Sequence, residues 1–162
     1  MRLLIIEDEK ITRISLSDIL KREGYEVYSA EDGEEGLATY KSMRPEVVIT
    51  DLRLPKLGGM EVLQTVLALD PRCKVILITA YASVETAISS LKLGAFDYLT
   101  KPFSPEKLLS ILRNITLLHS ALSENAELKN RIEILEDKTI IGNSQIIQRL
   151  KETILQIAHN DS

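Results

Sequence analysis

The chain has 162 residues, 44% hydrophobic and 27% charged, with 20 basic against 24 acidic side chains and a formal net charge of -4. A chain of about this size buries roughly two-thirds of its unfolded surface, so the composition excludes disorder and allows one α/β domain with an appendage. The acidic balance gives no electrostatic footprint for nucleic acid, and a single cysteine, Cys73, excludes an internal disulfide.

From Met1 the sequence runs into Glu7-Asp8-Glu9 before a signal-peptide apolar region can form, and no stretch approaches the roughly 20 apolar residues that cross a bilayer. A soluble, cytoplasmic chain without a membrane anchor is expected.

The first apolar run, Leu3 to Ile6, is bounded by polar residues and reads as a buried parallel strand ending at Glu7-Asp8. Ile11, Ile14, Leu16, Ile19 and Leu20 then recur at helical spacing until Gly24. Tyr25 to Ala30 alternates as a strand, and Gly33 to Met43 reads as a helix ended by Pro45. The run VVIT delivers Asp51 to a strand end. The loop LRLPKLGG follows, its Pro55, Gly58 and Gly59 expected to forbid regular structure before a helix over Met60 to Leu69.

Lys74 to Ala80 is the next strand and carries Thr79. Val84, Ala87, Ile88 and Leu91 mark a helix stopped by Gly94, and FDYLT is a fifth strand ending at Lys101-Pro102. Strands alternating with helices predict a flavodoxin-like, doubly wound parallel sheet of five strands in the order 2-1-3-4-5, with right-handed crossovers. In such sheets ligands collect beyond the carboxyl ends of the strands, so four strand ends deliver these side chains to one crevice.

The last helix of the domain starts at Ser104, a cap, with Pro105 at the first helical position, and no Pro or Gly recurs until Gly142. An extended linker helix to about Glu136 is expected, longer than the sheet requires. From Leu118 a heptad places Leu118, Asn125 and Ile132 at one core position and Ala121, Leu128 and Leu135 at the other; a lone core Asn fixes register in parallel dimers. The alternatives are a dimeric coiled coil and an amphipathic helix lying back on its own domain. The tail IIGNSQIIQRLKETILQIA begins a further amphipathic helix, capped by Asn143 or Ser144, with Ile146, Ile147, Leu150, Ile154 and Ile157 on its apolar face.

Three carboxylates converging in one crevice repel one another, and a divalent cation relieves them. Oxygen-only ligands with few protein contacts suit Mg2+, which matches Asp8 and Asp51 with Glu7 acting directly or through water. Lys101 supplies a point charge for a phosphoryl oxygen or for Asp51. A carboxylate is itself a nucleophile toward a phosphoryl group held in line, and Asp51 stands alone at its strand end. Thr79 is the neighbouring hydroxyl that swings toward the new group, freeing space for Tyr98 to turn inward.

These segments resemble the receiver domain of two-component response regulators: IIEDE carries the acidic pair, VVITDLRLP the phosphoacceptor, VILITAY the switch threonine, and FDYLTKPF the aromatic, lysine and proline. The resemblance covers residues 1 to about 120. It implies a sensor histidine kinase as phosphoryl donor, the Arg53 backbone carbonyl as a metal ligand, a cis Lys101-Pro102 bond, and Arg53 and Tyr81 as tuners of self-dephosphorylation. No separate substrate, and hence no enzyme in the usual sense, is implied.

The tail resembles the opening of the AAA+ ATPase domain of NtrC-like, sigma-54-dependent transcription activators, without the G-x-x-x-x-G-K loop that would follow. It implies a receiver (1–120), a dimerising coiled-coil linker (121–138) and an ATPase fragment (139–162), reaching sigma-54 RNA polymerase and DNA only through missing domains. A stand-alone receiver with a helical dimerisation tail is the alternative. An aspartate-nucleophile phosphatase usually needs a second aspartate two residues after the first, where Arg53 stands, and a dinucleotide module needs G-x-G-x-x-G where EDEKIT stands.

Overall fold

The computed structural model describes residues 1–138 and 151–157, with side chains described through Ile132 and again over 151–157. Ten elements alternate: β1 (Arg2–Ile6), α1 (Lys10–Arg22), β2 (Glu26–Ala30), α2 (Gly33–Met43), β3 (Val47–Asp51), α3 (Gly59–Leu69), β4 (Lys74–Thr79), α4 (Val84–Lys92), β5 (Asp97–Thr100) and α5 (Pro105–Lys138). The five strands form one parallel sheet in the order β2-β1-β3-β4-β5, as the sequence pattern predicts.

Both faces of the sheet are covered, which is why the central strands are continuous apolar runs. Leu4, Ile6, Val48, Val75 and Leu77 pack on one face with Tyr40 of α2 and Val62, Leu63 and Val66 of α3. Strand alternation sends Leu3, Ile5, Ile49, Ile76 and Ile78, all fully buried, to the other face. Cys73 is a packing residue, 4% exposed, and burial pushes its thiol up to about 12.

Helix ends follow the expected chemistry. Asp32 accepts the Glu35 amide at 2.8 Å to cap α2, and Ser83 with Thr86 forms a capping box on α4. Ser104 Oγ accepts the Lys107 amide at 3.3 Å at the start of α5. Gly24 and Gly94 take φ values of +94° and +105° just past α1 and α4, the left-handed stop that glycine adopts without a Cβ penalty.

One expectation is corrected, and the buried faces of two expected helices are defined. Gly59 opens α3 rather than lying in the preceding loop, with Gly58 as N-cap. In α1 the buried stripe is Leu16, Ser17 and Leu20, whereas Ile11 and Ile14 are 77% and 48% exposed. In α4, Val84, Ile88 and Leu91 form an exposed i, i+4, i+7 stripe, and the residue buried is the small Ser90. Periodicity located these helices; apolar identity alone did not say which face turns inward.

The chain forms two compact units, Met1–Leu112 and Arg113–Ser162. In the second, Lys129 and Ile132 line a groove with Lys151, Ile154 and Leu155 of a helical stretch over 151–157. Ile132 is 4% and Ile154 9% exposed, a depth of burial that a lone helix cannot provide. Of the expected seam, Leu118 and Leu128 are exposed and Ala121 and Asn125 half-buried. The side chain of Leu135 and the tail residues Asn143, Ser144, Ile146, Ile147 and Leu150 lie outside the described residues. Among the described residues no helix is long and apolar enough to cross a membrane.

Candidate functional site: an acidic crevice at the strand ends

Parallel pairing in register brings four strand ends to one edge. Ile6 pairs with Thr50, Asp51 with Ile78, and Thr79 with Thr100. Glu7 therefore follows β1, Asp51 closes β3, Thr79 closes β4, and Lys101 follows β5. Backbone bonds extend the ladder past the strands: the Glu7 amide donates to the Ala30 carbonyl at 3.1 Å, and the Lys101 amide to the Thr79 carbonyl at 2.8 Å.

Glu7, Asp8 and Asp51 offer carboxylate oxygens that all lie within 4.8 Å of one another. Glu7 and Asp51 are buried and Asp8 is exposed, so the cluster has a closed floor and an open mouth. Lys101 Nζ donates to Glu7 Oε2 and to Asp51 Oδ2, each at 2.7 Å. These are charge-assisted bonds of the shorter class. Glu7 Oε1 also accepts the Glu9 amide at 3.1 Å, and Asp51 Oδ1 the Arg53 amide at 3.0 Å.

Burial pushes the Glu7 carboxyl above its usual range, more than the hydrogen bonds from Lys101 and the Glu9 amide pull it down. Burial works against the Lys101 ammonium, yet its bonds to Asp51 and Glu7 outweigh that and raise its pKa. One ammonium thus serves two buried carboxylates, with a third close by. The surplus is negative and open to solvent on one side, where a hard cation with oxygen ligands fits.

Thr79 is fully buried, and its hydroxyl oxygen accepts the Tyr81 amide at 3.0 Å. Tyr98 is half-buried against the α2–α3 core, with its hydroxyl 3.0 Å from Thr86 Oγ1 on α4. The Lys101-Pro102 bond is cis. Arg53 and Tyr81, both exposed, meet across the loops that follow β3 and β4, the guanidinium carbon 4.0 Å from the ring centroid.

Sequence reasoning missed two partners: Thr86, which shares a hydrogen bond with the Tyr98 hydroxyl, and the Arg53–Tyr81 stack. The first had a signal in the S-x-x-T box at Ser83; the second had one in the resemblance, which assigns both side chains to the same phosphoryl group. Glu31, Asp32 and Glu35 form a second carboxylate group, but Asp32 is engaged in capping α2 and lies 3.4 Å from Lys56 Nζ. The Glu35 amide foremost holds the Asp32 carboxyl below its usual range.

A doubly wound sheet thus gathers an acidic crevice, a buried hydroxyl and a bridging lysine at its C-terminal edge. Residues 3–113 match the family model for the response regulator receiver domain. The chain is 38% identical over 123 residues to the regulatory protein AtoC of Escherichia coli, covering 76% of this chain and 27% of that protein. It is 30% identical over 162 residues to the nitrogen assimilation regulatory protein NtrX of Azorhizobium caulinodans, covering 99% of this chain and 35% of that one. A crystal structure of a response regulator receiver domain protein from Clostridium thermocellum superposes with a TM-score of 0.71 at 32% identity, covering 75% of this chain and 98% of that one.

The chain belongs to the response regulator receiver family of two-component systems. It spans about a quarter to a third of the length of those two curated relatives. Members of this family are signalling proteins rather than enzymes with a separate substrate.

Proposed function

We propose that the chain is a cytoplasmic receiver that takes a phosphoryl group from a sensor histidine kinase onto Asp51 in the presence of Mg2+. The observation that carries this reading is Lys101 Nζ, 2.7 Å from both Asp51 and Glu7, beside a third carboxylate on Asp8. An Asp51 carboxylate oxygen attacks phosphorus as the donor's nitrogen–phosphorus bond breaks, forming an acyl phosphate. Glu7, Asp8, Asp51 and the Arg53 carbonyl would hold the metal, which supplies positive charge for the phosphoryl oxygens when bound. Lys101 neutralises a further phosphoryl oxygen, and Thr79 donates to the group once its hydroxyl turns from Tyr81.

Thr79 and Tyr98 are the switch. The Tyr98 hydroxyl ties β5 to α4 through Thr86, beside the exposed stripe Val84, Ile88 and Leu91, so a turn of Tyr98 changes a surface ready to meet a partner. Arg53 and Tyr81 tune how quickly water reaches the phosphoryl group.

The assay is phosphoryl mass from acetyl phosphate and Mg2+. Wild type is expected to gain one phosphoryl group, a gain abolished when Mg2+ is chelated before acetyl phosphate is added, and Asp51→Asn none. A variant that still gains the mass sinks the assignment of Asp51.

Downstream, the reading is a receiver (1–120), a dimerising linker (121–138) and the start of an ATPase domain (139–162) of a sigma-54-dependent activator, with further domains meeting polymerase and DNA. The alignment of NtrX along nearly the whole chain favours it. Leu118, Ala121, Asn125 and Leu128 would form the dimer seam, with Ile132 and Leu135 at its end. Light scattering of residues 1–120 against 1–162 is expected to give a monomer and a dimer. Equal, monomeric masses would reject the seam and favour the tail as an internal cover for Ile132.

A further inference from the structure

Arg53 and Tyr81 each do two things. The Arg53 amide donates to Asp51 Oδ1 at 3.0 Å, and the Tyr81 amide to Thr79 Oγ1 at 3.0 Å. Their side chains stack at 4.0 Å between guanidinium and ring, well within cation–π reach. Two adjacent strand-end loops are therefore tied twice: by backbone to the phosphoacceptor and the switch hydroxyl, and by side chain to each other.

We propose that the Arg53–Tyr81 stack is a clasp that holds the resting arrangement and must loosen when Thr79 turns to a phosphoryl group on Asp51. The clasp rests on the phosphoacceptor reading of Asp51 and goes beyond it. In the resting state Thr79 Oγ1 is engaged by the Tyr81 amide. A hydroxyl can accept and donate at once, so it is the side-chain rotation carrying Oγ1 toward the phosphoryl group, not the donation itself, that takes it off the amide and costs the β4–α4 loop bearing Tyr81 its anchor. The stack opposes this, because Tyr81 is held to Arg53, whose own amide is fixed on Asp51.

The two side chains thus act as one element rather than as two independent bulky groups. They are positioning residues, acting through the amides that bind Asp51 and Thr79. Hydrolysis itself is unchanged in kind: water attacks phosphorus, the bond to the Asp51 oxygen breaks, and inorganic phosphate leaves with the water's proton released to solvent.

Beryllofluoride with Mg2+, a stable mimic of an aspartyl phosphate, provides the probe. Tyr81→Leu is expected to tighten its binding about two- to fivefold, the size of an exposed cation–π contact. Tyr81→Phe keeps the ring face and is expected to bind as wild type. In an Arg53→Met background Tyr81→Leu is expected to change nothing, since the clasp is already open. Both positions are exposed, and far-ultraviolet circular dichroism checks that each variant is folded.

The proposal is overturned if Tyr81→Leu leaves binding unchanged or weakens it, if Tyr81→Phe gains as much as Tyr81→Leu, or if the gain survives in the Arg53→Met background. Wild type that takes up no beryllofluoride would instead remove the Asp51 reading, and the clasp's role with it.

Discussion

Lys101→Met is expected to lower both stability and phosphoryl acceptance, and the loss of stability is expected to shrink in acid. The ammonium lies 2.7 Å from two carboxylates, on Glu7 (3% exposed) and Asp51 (8% exposed), and methionine keeps much of the stem while removing the charge. Removing one partner of a fully buried ion pair costs about 3–5 kcal/mol. Here the mouth is open at Asp8, and the Lys101 side chain is itself 20% exposed, so about 1–3 kcal/mol is expected at neutral pH.

The pH dependence follows from Glu7, whose carboxyl burial already raises. Losing Lys101 raises it further, so the folded variant holds a proton that the unfolded chain has given up. Stability tied to a raised carboxyl is fully present below its unfolded value and lost as pH rises through its folded value. The deficit relative to wild type should therefore be small below the usual glutamate range and full near neutrality. Urea unfolding of both proteins from about pH 3 to about pH 8, which brackets the reference glutamate value of about 4.3, measures it. A deficit that grows in acid would contradict this. Acceptance from acetyl phosphate is expected to fall about a hundredfold, the usual consequence of removing one preorganised donor from a developing charge.

The fold was legible because β1, β3 and β4 are buried on both faces, so their apolar runs admit little besides a parallel strand, and each run ends at a polar residue. Parallel register then brings Glu7, Asp51, Thr79 and Lys101 to one edge with no long-range information beyond strand order. What sequence could not give was the direct contact between side chains on neighbouring loops. Arg53 and Tyr81 are 28 positions apart and meet only because β3 and β4 are neighbours.

The same limit applied to helix faces. Ile11, Ile14, Val84 and Ile88 are apolar at helical spacing yet face solvent: α1 turns Leu16, Ser17 and Leu20 inward, and the residue α4 buries is the small Ser90. Ile132 illustrates the converse: the heptad assigned it to a dimer seam, and within one chain it is already covered in a groove shared with Ile154. A heptad records an apolar stripe, not the identity of what covers it.

Gly59→Ala is expected to damage the crevice from behind, whereas the neighbouring Gly58→Ala is not. A Cβ on Gly59 would stand 2.2 Å from the Asp51 carbonyl oxygen and 2.8 Å from Leu52 Cα. Both obstacles are backbone, so no rotamer change relieves them, and either α3 or the end of β3 has to move. The Gly59 amide donates to the Leu52 carbonyl at 2.9 Å, and the Thr50 hydroxyl to the Asp51 carbonyl at 3.0 Å, so such a shift strains the segment that carries Asp51 and the Arg53 carbonyl. The loss of stability is expected at or above the upper end of the ~1–3 kcal/mol typical of overpacking. Mg2+ affinity is expected to fall roughly tenfold or more, as when the support of a metal ligand is removed. A Cβ on Gly58 meets only the Leu52 carbonyl oxygen, at 3.7 Å, which is ordinary contact. Its substitution should cost about 0.5–1 kcal/mol, from replacing an N-cap glycine with alanine. Unfolding midpoints and Mg2+ titrations of the two variants separate the cases. Equal, small effects would mean that the close approach of α3 to the Asp51 backbone does not hold the carboxylate in place.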